Sequence, residues 1–153
     1  MDLILWRHAE AEAEREGLAD LDRALTSKGE RQAQRMGEWL NQRIAHSTRI
    51  LVSPAMRCQQ TAQALSRSFK TMAALAPDAT VEAVLKAARW PHSAEPVLVV
   101  GHQPTLGLVA AQLLADQSQS WNMKKGAVWW LRSRDREGEP QVVLQAVQSP
   151  DCL

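Results

Sequence analysis

The chain has 153 residues, 45% of them apolar, with 18 basic and 17 acidic side chains and a formal net charge of +1. That length suits one domain, 1–153, with a buried core, and the apolar share excludes a disordered chain. The even charge leaves no general electrostatic footprint for nucleic acid or a membrane surface, so an anion handled here must meet a few focused cations.

In chain order, Leu3 to Trp6 are apolar without alternation and read as a fully buried strand. Residues 9–24 are rich in charge and read as a loop with room for a helical turn. Ser27, followed three residues later by Glu30, has the form of a capping box. The spacing predicts a helix from there to about Ala45, with Ala33, Met36, Leu40 and Ile44 on one face. Arg49 to Ser53 form a second buried strand, and Ser53-Pro54 supply an N-cap and an N1 proline for a helix over about 54–68. Residues 71–79 fit a short edge strand and a loop, and residues 80–89 a helix. Val97 to Val100 are a third unbroken apolar strand, followed by a helix over about 105–116. Two further strands, Gly126 to Leu131 and Gln141 to Val147, have no helix between them and predict an antiparallel hairpin joined over Arg134 to Pro140. Strand–helix alternation closing in a hairpin predicts an α/β fold, a three-layer sandwich with a mostly parallel central sheet and helices on both faces.

Cys58 and Cys152 are the only cysteines, too few for a disulfide framework or a four-thiolate zinc site. Cys58 is expected to be a reduced, semi-buried residue in a helix. No apolar stretch approaches the ~20 residues of a membrane span, and Leu3 to Trp6 is too short for a signal peptide. The expected compartment is a reducing cytoplasm.

Each of the three buried strands ends in polar residues. The first yields Arg7 and His8, the second Ser53 with Arg57 in the next helical turn, and the third Gly101 and His102. Ligands of open α/β sheets bind at the carboxyl ends of parallel strands, so two arginines and two histidines should converge at one sheet edge. Guanidinium groups suit phosphate oxygens, a helix N-terminus adds oriented N–H groups, and a neutral imidazole is a competent nucleophile toward phosphorus. His8 is thus the candidate nucleophile, with Arg7, Arg57 and His102 as candidate stabilisers. Pairing His8 with Glu10 as metal ligands fits poorly: no HExxH or CxxC spacing is present, and nearby arginines repel a dication. Six tryptophans invite a base-stacking role, but core and sheet-face packing explains them better; Trp6, next to Arg7, is placed to wall the site. His46 and His92 are expected in solvent.

Trp6-Arg7-His8-Ala9-Glu10, Arg23-Ala24-Leu25-Thr26 with Gly29, Ser53-Pro54-Ala55-Met56-Arg57 with Thr61-Ala62, and Gly101-His102 together resemble the histidine phosphatase superfamily, the phosphoglycerate-mutase-like proteins. The short length and the ending Gln148 to Leu153 look most like its SixA-type phosphohistidine phosphatases. The resemblance implies that His8 becomes transiently phosphorylated, that Arg7 and Arg57 clamp the phosphoryl oxygens, that His102 adds a further donor, and that Arg23 reaches the substrate. It implies no metal and no organic cofactor.

Two departures stand out. Ala9 occupies the position where the family most often has glycine. Ester-cleaving members also carry an acid in the loop after the second arginine, where this chain offers only Asp78, Glu82 and Glu95, none in a marking motif. An alkoxide needs such an acid to leave, whereas the imidazole of a phosphohistidine leaves readily. The expected activity is therefore hydrolysis of phosphohistidine on a protein of the histidine-containing phosphotransfer type, with phosphate held in the pocket. Two alternatives stand beside it: a phosphatase of small phosphate esters using Asp78, Glu82 or Glu10 as acid, and a phospho-ligand-binding module without turnover.

Overall fold

The unbroken apolar runs become neighbouring strands of one sheet. The computed structural model describes residues 1–153. Its strands are β1 (Asp2–Arg7), β2 (Arg49–Val52), β3 (Lys70–Thr71), β4 (Val97–Gly101), β5 (Val128–Arg136) and β6 (Glu139–Gln148). Their order is β3-β2-β4-β1-β5-β6, parallel from β3 to β1 and antiparallel for β5 and β6. The helices are α1 (Ser27–Asn41), α2 (Met56–Gln63), α3 (Val81–Ala88) and α4 (Thr105–Ala115).

Both faces of the central strands are covered, which explains the lack of polar alternation in their sequences. Ile4, Trp6, Ile50, Val52, Leu98 and Val100 meet Met36 and Leu40 of α1 and Cys58 and Ala62 of α2. Leu3, Leu5, Leu51, Val97 and Val99 meet Val84 and Ala88 of α3 and Leu106 and Val109 of α4. The result is the expected three-layer α/β sandwich, closed on one side by the β5–β6 hairpin.

Several boundaries differ from the sequence reading. Thr26, not Ser27, caps α1: its Oγ1 accepts from the Gly29 N–H at 3.0 Å while donating to Glu10 Oε2 at 2.7 Å. The helix ends at Asn41, and Ile44 stays buried because its N–H bonds Leu40 O in a closing turn. Likewise α2 is shorter than 54–68 and begins after Ala55; the Ser53 hydroxyl has other partners, and Ser66 at φ 53° turns the chain away. The hairpin strands run further than their apolar cores, to a two-residue turn at Glu137 and Gly138 with φ of 56° and 83°, the left-handed pair that matches strand twist. Pro140 lies inside β6, where an edge strand tolerates the missing N–H. Trp6 is wholly buried beneath the sheet end and donates its indole N–H to Gly126 O at 3.0 Å, so it supports the site from below and does not wall it. Trp129 and Trp130 face opposite layers as expected. No helix is long and apolar enough to cross a membrane.

Candidate active site

The carboxyl ends of β1, β2 and β4 lie side by side, with Arg7 opposite Gly101 in the register. Loop residues beyond these ends surround a cavity of about 490 Å³, and Arg7, His8, Arg23, Arg57 and His102 all line it. Residues up to 95 positions apart in sequence meet here because three parallel strands stop at the same level.

His8 is held from every side of its backbone. Its N–H donates to Gly101 O at 3.1 Å, its carbonyl accepts from Gly126 N–H at 3.0 Å, and Ala9 N–H donates to Thr61 Oγ1 at 3.1 Å. The Thr61 hydroxyl in turn donates to Arg57 O at 2.7 Å, so one side chain ties the end of β1 to α2. The imidazole Nδ1 lies 2.8 Å from Ala9 O. A carbonyl can only accept, so Nδ1 carries the proton and Nε2 keeps a free lone pair. Burial, reinforced by His102, Arg57 and Arg7, pushes the His8 pKa down to about 3, so the ring is neutral at neutral pH.

His102 has the opposite tautomer. Arg57 Nη2 donates to its Nδ1 at 3.3 Å, and its Nε2–H donates to Ser53 Oγ at 2.7 Å. The same Ser53 oxygen accepts from Ala55 N–H at 3.2 Å, which is why it does not cap α2. In this arrangement His102 orients Arg57 and turns no N–H toward the cavity. Burial first, then Arg57, lowers its pKa to about 4. The His8 and His102 rings are 5.4 Å apart between centroids.

Arg57 is 4% exposed and sits in the first turn of α2 as expected. Its Nη1 donates to Asp20 O at 2.8 Å and its Nη2 to Asp20 Oδ2 at 3.1 Å, while its Nε is buried with no partner. Arg7 donates from Nη1 to Met123 O at 2.7 Å, and its Nε too is buried without a partner. Both arginines line the cavity, so two fixed positive charges stand where an anion would be stabilised. Arg23 donates from Nη1 to Glu12 O at 2.7 Å and pairs with Asp20 Oδ1 at 3.0 Å.

Asp20 was not singled out by sequence, although its place three residues before Arg23 in a short helical turn is the kind of spacing that pairs charges. Burial would raise its carboxyl, but hydrogen bonds from Arg57 and Arg23 outweigh that and hold it below the usual carboxylate range. Glu14, Asp78, Gln103 and Lys125 complete the lining. Lys125 and Gln103 carry no local signal and reach the cavity through tertiary folding alone. Of the candidate acids, only Asp78 lines the cavity. Glu82 lies in a neighbouring recess with Thr80 and Thr105, Glu10 is engaged by Thr26, and Glu95 precedes β4 at the far end of the sheet. His46 and His92 are exposed. No group of three or more His, Cys, Asp or Glu side chains is arranged to hold a metal ion. Cys58 is fully buried, deeper than expected, and burial pushes its thiol up to about 12.

The model of the histidine phosphatase superfamily (branch 1) matches residues 3–80, a span that includes Arg7, His8, Arg23 and Arg57. An uncharacterized protein of Picosynechococcus sp. is 35% identical over 141 residues, covering 87% of this chain and 86% of its own. Phosphohistidine phosphatase SixA of Escherichia coli is 30% identical over 122 residues, 74% of each chain. The solved structure of the protein histidine phosphatase SixA complexed with tungstate superposes with a TM-score of 0.79 at 23% identity, over 99% of both chains, a likeness of fold. With sheet order, motif residues and these relatives in agreement, the chain belongs to the histidine phosphatase superfamily.

Proposed function

We propose that this chain, acting as one domain, is a phosphohistidine phosphatase that hydrolyses phosphohistidine on a protein through a covalent intermediate on His8. The observation that carries the reading is the His8 tautomer: Nδ1–H is tied to Ala9 O at 2.8 Å, which leaves Nε2 unprotonated beside four cationic side chains, Arg7, Arg23, Arg57 and Lys125. Membership of the superfamily supports a phosphatase, a hydrolase; the SixA relatives support the P–N substrate.

In the first step His8 Nε2 attacks phosphorus, the substrate P–N bond breaks, and the electron pair stays on the substrate imidazole, which already carries a proton on its other nitrogen and so departs neutral with no further acid. The guanidinium groups of Arg7 and Arg57 face the phosphoryl oxygens and offset the spread charge of the transition state. The incoming phosphoryl dianion favours uptake of a solvent proton at His102 Nδ1, which releases the Arg57 Nη2 donor that this nitrogen accepts at 3.3 Å and leaves both groups to donate to the phosphoryl oxygens. Water next attacks the phosphohistidine on His8, releasing phosphate and restoring the neutral ring. Arg23 meets the substrate at the cavity mouth. The cations supply the stabilisation that a metal would otherwise bring, so turnover is metal-independent, and the two free thiols suit a reducing cytoplasm.

The test incubates pure protein and EDTA with a phosphotransfer domain phosphorylated on histidine, comparing wild type with His8→Ala by phosphate release. Release by wild type alone, with label trapped on His8, is expected. Equal release by both overturns the covalent mechanism. Phosphate binding without release identifies a binding module instead. The position of Asp78 on the cavity lining favours one second reading, a phosphatase of small phosphate esters with Asp78 as acid.

A further inference from the structure

Beyond the catalytic cavity, the exposed side of α1 concentrates positive charge. Lys28, Arg31 and Arg35 follow at helical spacing and line a recess of about 290 Å³ with Gln32, Pro150 and Asp151. None of these three cations has a carboxylate oxygen within 4.0 Å. The recess holds one acid, Asp151, and it faces Lys124 at 4.0 Å. Of the acidic residues of α1, Glu38 is engaged by its own helix, where Gln34 Nε2 donates to Glu38 Oε1 at 3.1 Å. In a chain of net charge +1, four cations around one carboxylate are a local segregation that the average charge conceals.

The recess borders the catalytic cavity. Gln32 accepts the N–H of Glu10, two residues beyond His8, at 2.9 Å. Gly126, whose N–H holds the His8 carbonyl, approaches Gln32 and Pro150 so closely that a Cβ there would touch both. Its neighbour Lys125 lines the cavity itself. The cavity lining mixes Glu14, Asp20 and Asp78 with Arg7, Arg23, Arg57 and Lys125, whereas the recess beside it sets only Asp151 against its cations.

We propose that the recess formed by Lys28, Arg31 and Arg35 is a docking surface for the protein that carries the phosphohistidine, and that it receives acidic side chains flanking that residue. The inference rests on the phosphohistidine-protein reading above. Exposed charge of this kind speeds encounter and fixes orientation more than it holds a complex together. Acidic neighbours of the phosphohistidine drawn to the recess orient the partner so that its phosphorus meets His8.

The experiment uses an acidic histidine-containing phosphotransfer domain. Binding of the unphosphorylated domain is measured by calorimetry, and phosphate release from the phosphorylated domain and from free phosphohistidine by a coupled assay. Charge reversal in R31E/R35E should weaken domain binding and kcat/KM on the phosphorylated domain by about tenfold. Turnover of free phosphohistidine should be unchanged, and R31K/R35K should retain wild-type behaviour on both substrates. Wild-type kcat/KM should also fall more steeply with added salt on the domain than on free phosphohistidine, whose only screened contacts are those of its phosphoryl group, which gives the same reading with no substitution. Unchanged domain binding in R31E/R35E, an equal loss on both substrates, or a wild-type salt dependence no steeper on the domain overturns the docking surface. Binding that weakens on charge reversal while wild type releases no phosphate keeps the surface and overturns the phosphatase reading instead.

Discussion

At the scale of single residues, the site depends on which nitrogen of each histidine carries the proton. Ala9 O fixes His8 as the Nδ1–H tautomer at 2.8 Å, and Arg57 with Ser53 fixes His102 as the Nε2–H tautomer. Both rings are buried neutral, with pKa values lowered from 6.5 to about 3 for His8 and about 4 for His102. Below 6.5 the unfolded chain binds protons at both imidazoles, whereas the native chain does not until those lower values are reached. Protons therefore favour unfolding in that window, and stability falls as the pH falls through it. Each histidine contributes a slope of up to about 1.4 kcal/mol per pH unit. Denaturant unfolding followed from pH 7 to 4 should show this decline, and His8→Asn should flatten it by one proton. The same burial keeps the ring of His8, the proposed nucleophile, unprotonated, so kcat/KM should show no fall near pH 6.5 from its protonation. A decline centred at 6.5 would mean that the ring is solvated.

The elements arrive at the site through contacts that only small residues allow. Gly29, in the first turn of α1, lies against the Glu10 backbone so closely that a Cβ would collide with the Glu10 carbonyl. That approach lets Thr26 N–H bond Glu10 O at 3.0 Å and holds the loop that follows His8. Gly29→Ala should therefore cost about 1–3 kcal/mol in urea unfolding, as overpacking does, and should lower turnover by displacing this loop. An unchanged midpoint would show that the loop shifts freely. Gly29 also illustrates what was legible in advance. The three buried strands, their polar ends and the helices between them could be read because burial on both faces leaves unbroken apolar runs and because α1 repeats at helical spacing. The convergence of Arg7, His8, Arg57 and His102 followed from that topology. The α1 cap was misplaced by one residue because its true partner, Glu10, is distant in sequence. Asp20 and Lys125 were missed as site residues, and Ser53 was read as a helix cap, for the same reason, since their roles depend on which side chains three separate elements bring opposite them.

At the scale of the whole molecule, the fold decides which bond can be cleaved. Only nine residues, 72–80, separate β3 from α3, and of the carboxylates in or near that connection only Asp78 lines the cavity, held by a left-handed φ of 70°. The other carboxylates on the lining have different tasks or places: Asp20 is engaged by Arg57 and Arg23, and Glu14 lies in the loop after β1. Cleavage of an ester needs a proton for the departing oxygen, and a positioned acid contributes roughly 10²–10⁴-fold to such a step. Cleavage of phosphohistidine does not, because imidazole is already a good leaving group. Asp78→Asn should accordingly lower kcat on an aryl or alkyl phosphate by about 10²-fold while changing phosphate release from a phosphohistidine protein by less than about twofold. Parallel assays on one preparation read both values. If the two activities fall together, Asp78 shapes the cavity or protonates the imidazole itself, and the distinction between P–N and P–O substrates must lie in how the substrate docks. If neither falls, residual ester turnover is acid-independent and should then track the leaving-group pKa across a series of aryl phosphates.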